Sequence, residues 1–130
     1  MLRAMSLLFL MVVSMQAGAK SILVTPSVVK QPMTIIDIRT EAEWRQTGIV
    51  AGAIPLTFFD AKGRYDANAF LQELDKHVHK DVPFAIICRT GNRTTAVSEF
   101  LGELGYEVIN LQGGIVELVK QGYRPTPYRP

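Results

Sequence analysis

Short apolar runs rich in β-branched residues alternate with segments of helical periodicity along most of this 130-residue chain, and that alternation constrains the fold more than any other feature. Residues 22–24, 34–38, 53–56, 84–87 and 108–111 read as strands. Between the second and third, Thr40 followed by Glu43 forms a capping box, and Gly48 is placed to end the helix that it starts. Asp66 caps a further predicted helix over about 68–79, whose Phe70, Leu71, Leu74 and Val78 share one face. A third helix is expected over 94–104, closed by Gly105, and a last one carries Ile115, Leu118 and Val119 and ends at Gly122. Residues 124–130, with three prolines, read as an extended tail. The order β, β, α, β, α, β, α, β, α predicts an α/β fold: a parallel sheet of about five strands flanked by helices on both faces, with ligands at the carboxyl ends of the strands.

Composition narrows the function. A 48% hydrophobic content and a formal charge of +2 suit one compact domain, and the basic residues form no run, which argues against a nucleic-acid partner. The single cysteine excludes an internal disulfide and any multi-cysteine metal site. No metal and no organic cofactor is implied.

The first 19 residues carry Arg3, an apolar block over 7–13 and the small residues Ala17, Gly18 and Ala19, the pattern of a secretory signal cleaved before Lys20 or kept as a signal anchor. Residues 20–130 are then the functional domain, periplasmic or secreted, with no membrane contact once the signal is removed.

The strand at 84–87 hands over directly to Cys88, Arg89, Thr90, Gly91, Asn92 and Arg93, so the lone thiol falls at the ligand-facing edge of the sheet. A loop curled around Cys88 would turn the amides of 89–93 inward, joined by the start of the next helix and by the guanidinium groups of Arg89 and Arg93. Such a cradle favours an accessible thiolate and attracts anions, and Gly91 supplies the backbone freedom that the turn needs. Sulfur transfer through a persulfide, phosphoryl transfer through a phosphocysteine and redox sensing through a sulfenic acid all fit it. The plain rival is that Cys88 is a small buried residue ending a core strand.

The sequence resembles the rhodanese family of sulfurtransferases. The resemblance rests on Cys88-Arg89-Thr90-Gly91-Asn92-Arg93-Thr94, on Ile36-Asp37-Ile38-Arg39 with Glu43-Trp44, and on Gly52-Ala53-Ile54-Pro55, Gly105-Tyr106 and Leu111-Gln112-Gly113-Gly114. It implies that Cys88 is the nucleophile, that Arg89, Thr90, Gly91, Asn92 and Arg93 bind the substrate anion, and that sulfane sulfur moves from thiosulfate or a similar donor to cyanide, a thiol or a protein acceptor. Sulfite leaves without needing a proton, consistent with the absence of histidine from the loop; His77 and His79 are expected to be solvated or to cap a helix end. Many relatives carry a histidine where this chain has Ile49, a position read as structural.

Two rival functions follow. Cysteine phosphatases and arsenate reductases place five residues between cysteine and arginine, against four between Cys88 and Arg93. A noncatalytic sulfur-carrier or binding module is the other. Asp37 and Arg39 either support the loop or form a local ion pair, and Trp44, Phe58, Phe59 and Tyr65 either wall a pocket or belong to core and rim.

Overall fold

The computed structural model describes residues 18–130. Strands β1 (Ala19–Leu23), β2 (Ile35–Asp37), β3 (Ile54–Pro55), β4 (Phe84–Ile87) and β5 (Val108–Gln112) form one sheet in the order β1-β5-β4-β2-β3. Every neighbouring pair is parallel. The connecting helices are α1 (Pro26–Val29), α2 (Glu41–Thr47), α3 (Ala67–Leu74), α4 (Asn92–Glu103) and α5 (Gly114–Lys120).

Alternation along the central strand sorts two cores. Phe84, Ile86 and Cys88 face a layer containing Phe70 and Leu74 of α3 and Val97 and Leu101 of α4. Ala85 and Ile87 face the opposite layer with Val29 of α1 and Ile115 and Leu118 of α5. β4 is buried along its whole length, which is why it reads as a continuous apolar run: both of its faces are covered. The α/β expectation, with helices on both faces of a five-stranded parallel sheet, therefore holds.

Local differences have local causes. Helix α1 was not expected; Thr25 accepts a hydrogen bond from the Val28 amide and Pro26 occupies the first turn, a start signal hidden by the shortness of the element. Helix α3 stops at Leu74 rather than His79, because Lys76 and His77 donate three residues back, to Glu73 and Leu74, and tighten the chain into turns. Val78 is buried nonetheless, so the apolar spacing reported burial correctly and helix length wrongly. Helix α4 starts at Asn92, two residues earlier than expected. The capping box at Thr40 and Glu43, the Gly48 end and the Asp66 cap are as read.

The export segment lies outside the described residues except for Gly18 and Ala19. Those two already belong to the sheet: the Gly18 carbonyl accepts from the Val108 amide at 3.3 Å, and Ala19 opens β1 opposite Val108. Cleavage before Lys20 would remove that first pair. No helix among the described residues is long and apolar enough to cross a membrane.

A fully buried ion pair ties β2 to α2. The Asp37 carboxylate accepts from the Arg39 amide and guanidinium and from the Trp44 indole, all between 2.8 and 3.2 Å. Arg39 also donates to the Thr47 hydroxyl and the Gly48 carbonyl. Of the two readings offered by the sequence, the local ion pair is the one observed. The C-terminal tail closes over it, since Thr126 exchanges both backbone hydrogen bonds with Ile49 and the Tyr128 ring packs 5.4 Å from Trp44. The tail is therefore docked rather than simply extended. Asp37→Ala should cost about 3–5 kcal/mol in urea unfolding, because it strands a buried guanidinium. Trp44→Phe, which removes one hydrogen bond, should cost nearer 1 kcal/mol.

Candidate active site

Cys88 follows directly on the last residue of β4, at the carboxyl end of the sheet, and its residue is only 1% exposed. Its sulfur accepts from the Gly91 amide at 3.2 Å and lies 3.5 Å from the Thr94 hydroxyl. Gly91 reaches this position only with φ at +103°, in a region that side chains disfavour, and it packs against Gly113. The expected ring of inward amides is thus reduced to one amide at the sulfur. The amides of Arg89, Thr90, Asn92 and Arg93 donate to no protein acceptor among the described residues and are free to meet an anion. The accessible thiolate expected from the sequence is, in this structure, a sulfur roofed by its own loop.

The loop is seated on α5. The Ile115 and Val116 amides donate to the carbonyls of Cys88 and Arg89 at 3.0 and 3.1 Å, so the first turn of that helix is satisfied by the Cys88 loop. Gly114 allows the approach: at φ +63°, a Cβ here would run into the same two carbonyls.

The five predicted loop residues behave differently. Arg89, Thr90 and Asn92 are exposed, and their side chains make no hydrogen bonds among the described residues. Gly91 is the buried hinge. Arg93 is half-buried and engaged: its two terminal nitrogens meet both oxygens of Glu43 at 2.7 and 2.8 Å, across 50 residues of sequence. Those hydrogen bonds hold the Glu43 carboxyl down to about 2, against the burial that opposes its charge. They likewise raise Arg93 above its ordinary value, with the charges of Glu43, Cys88 and Asp37 adding to the effect. The guanidinium read as an anion contact is paired with Glu43 in this structure.

Two residues at the site escaped sequence reasoning in their present roles. Thr94 was read as the start of a helix, although a hydroxyl six residues after the thiol was its visible signal. Glu43 was read as a capping acid, which it is, with Thr40 as its local partner; nothing local announced Arg93. Among the aromatic residues, Phe58, Phe59 and Tyr65 wall a cavity of about 340 Å³ beside Val97, one helical turn beyond Thr94. Trp44 does not join them. His77 and His79 are exposed in the turn after α3, beside Phe84 at the opposite end of β4 from Cys88. Ile49 contributes its backbone to the tail contact. No cluster of metal-ligating side chains occurs among the described residues.

A parallel α/β domain whose central strand ends in a cysteine-headed, amide-rich loop is the framework of a cysteine-loop transferase. The rhodanese-like domain family matches residues 20–121, and the chain belongs to that family. It is 29% identical over 86 residues to "Putative sulfurtransferase YtwF" of Bacillus subtilis, covering 66% of this chain and 73% of that one. A rhodanese-related protein from Thermoplasma volcanium superposes with a TM-score of 0.57 at 29% identity, over 74% of this chain and 85% of the other. A rhodanese-like domain protein from Staphylococcus aureus gives 0.56 at 25%, over 75% and 88%.

Two outcomes test the site's construction. Gly114→Ala should destabilise the fold by about 2 kcal/mol or more, through its positive φ and the carbonyl clash, and should raise the exposure of Cys88 to alkylation. Because the Glu43 carboxyl is more acidic folded than unfolded, its pairing stabilises the protein fully above about pH 4.5 and is lost as the pH falls towards 2. Glu43→Gln should therefore lower stability at neutral pH and flatten the acid limb of a stability–pH curve.

Proposed function

We propose that this rhodanese-family protein is a sulfurtransferase that carries sulfane sulfur on Cys88, taking it from thiosulfate or a similar small anion and passing it to cyanide or a thiol. The observation that carries the proposal is the placement of the Cys88 sulfur at the end of β4, beneath the Gly91 amide and in a loop whose other four amides have no protein partner among the described residues.

The steps balance without a redox partner. The Cys88 thiolate attacks the outer sulfur of thiosulfate, an S–S bond forms, and the donor's own S–S bond breaks to release sulfite with the electron pair. The terminal sulfur of the resulting persulfide is anionic and sits where the loop amides donate. Cyanide then attacks that sulfur and leaves as thiocyanate, returning the thiolate; a thiol acceptor would leave as a persulfide. Neither departure from Cys88 requires a general acid, which agrees with the placement of both histidines at the far end of β4. The Arg93 guanidinium, held by Glu43, supports the anionic sulfur through its field rather than by capturing the donor.

A sulfur-carrier reading has its own support. The roofed sulfur and the compensated Arg93 both disfavour fast exchange with free anions, and a protein acceptor that opens the loop would overcome the first of these. Export to the periplasm or beyond rests on the Arg3, apolar-block and Ala17-Gly18-Ala19 pattern, and cell fractionation tests it.

Thiosulfate treatment followed by mass spectrometry should show one added sulfur atom that cyanide removes, with sulfite released in equal amount, and Cys88→Ser should abolish both. Loading with negligible turnover would favour the carrier. Absence of loading from every sulfane donor tried would sink both readings.

A further inference from the structure

Asn110 breaks the pattern of its strand. Val108 and Asn110 point from β5 towards α4, whose inward face mixes Val97 and Leu101 with the buried hydroxyls of Thr94 and Ser98, and the Asn110 amide is itself only 1% exposed. Its nitrogen donates to the hydroxyls of Ser21 and Thr95, each at 3.2 Å, while its oxygen is buried without a partner among the described residues. The reverse orientation would leave two donors unmet in place of one acceptor, so the amide is set with its donors towards Thr95.

That orientation has a consequence for the Thr95 hydroxyl. With Asn110 donating to its oxygen, its own proton points away from Asn110 and goes to the Gly91 carbonyl, 2.7 Å away. The same carbonyl also accepts from the Thr95 amide and from the Thr94 hydroxyl, each at 3.1 Å. Thr94, however, is the residue whose hydroxyl lies against the Cys88 sulfur.

We propose that Asn110 and Thr95 are positioning residues for Cys88: by satisfying the Gly91 carbonyl, they release the Thr94 hydroxyl to donate to the sulfur when it is negative. While Cys88 is a thiol, its S–H points to Thr94 and the Thr94 proton points to Gly91. When the thiol proton leaves to solvent, the Thr94 O–H rotates onto the sulfur, and Gly91 keeps the Thr95 hydroxyl and amide. Without the Thr95 hydroxyl, the Gly91 carbonyl competes with the thiolate for the Thr94 proton. The inference rests on the reading of Cys88 as the nucleophile, but its test needs no sulfur donor.

The test is the pH profile of Cys88 alkylation by iodoacetamide, followed by intact mass. Thr95→Val should move the midpoint upward by about one pH unit. Well below the midpoint this slows alkylation by about three- to fivefold, once the stronger nucleophilicity of a more basic thiolate is allowed for. The plateau at high pH should not fall, and Thr95→Ser should restore the original profile. Asn110→Val should shift the midpoint in the same direction, and in a Thr94→Val background Thr95→Val should add nothing. A general loosening of the loop would instead speed alkylation at every pH. An unmoved midpoint in Thr95→Val, the same shift in Thr95→Ser, or a fully additive shift on top of Thr94→Val would overturn the proposal. Should Asn110→Val fail to fold, the Thr95 and Thr94 variants decide alone.

Discussion

A carboxylate taken wholly out of water must find a donor for every lone pair, and the way Asp37 does so organises the ligand-facing edge of this domain. Its partners arrive from two directions: Arg39 from the same strand end, and the Trp44 indole from α2. The first fixes the chain as it leaves β2, where the Arg39 carbonyl also takes the Thr57 hydroxyl. The second fixes the rotation of α2 and so the direction of Glu43, one residue before Trp44. Since Glu43 holds Arg93 in a two-point contact, the position of the first turn of α4, directly after the Cys88 loop, is traceable to a charge on the neighbouring strand. The energetic value of the Asp37–Arg39 pair as such is modest, because desolvation offsets most of the attraction. What it contributes is a single allowed arrangement.

The Cys88 loop is consequently held at both ends by backbone and charge rather than by its exposed side chains. Carbonyls of Cys88 and Arg89 seat on α5, Gly91 closes against Gly113, and Arg93 is anchored to α2. Arg89, Thr90 and Asn92 lie on the outside. A loop built in this way holds its unpartnered amides fixed, which is the condition under which dipoles stabilise a charge most effectively. The same construction limits how far the sulfur is uncovered.

Much of this was legible from residue order. The central strand announced itself because a parallel sheet covered on both faces demands an uninterrupted apolar run, as in Phe84–Ile87, whereas the exposed edge strand β1 begins at Ala19, three residues before the run that was read for it; the loop announced itself because a lone cysteine followed by a glycine turn and a helix has few bland explanations. Helix α1 was hidden because four residues carry no periodicity, and only Thr25 and Pro26 signalled it. The end of α3 was misread because Val78 continues the apolar spacing after the helix has already broken. Partnerships across the chain were the least accessible. Glu43 satisfies a complete local motif with Thr40, so nothing in the sequence leaves it looking for Arg93, and Asn110 reads as an ordinary polar residue until the strand's facing is known. Arg93 was read as part of the anion cradle, and its pairing with Glu43 was invisible, because spacing reveals a charge but not its counter-charge.

The segment Thr126–Tyr128 lies beyond the part of the chain matched by the family, yet it hydrogen-bonds Ile49 and covers Trp44. Anything attached shortly after it, such as a purification tag or a fused reporter, would tug on a strap lying directly over the Asp37 cluster. Handles for immobilisation or labelling belong instead on the exposed turn around Lys76 and Lys80, at the other end of the sheet.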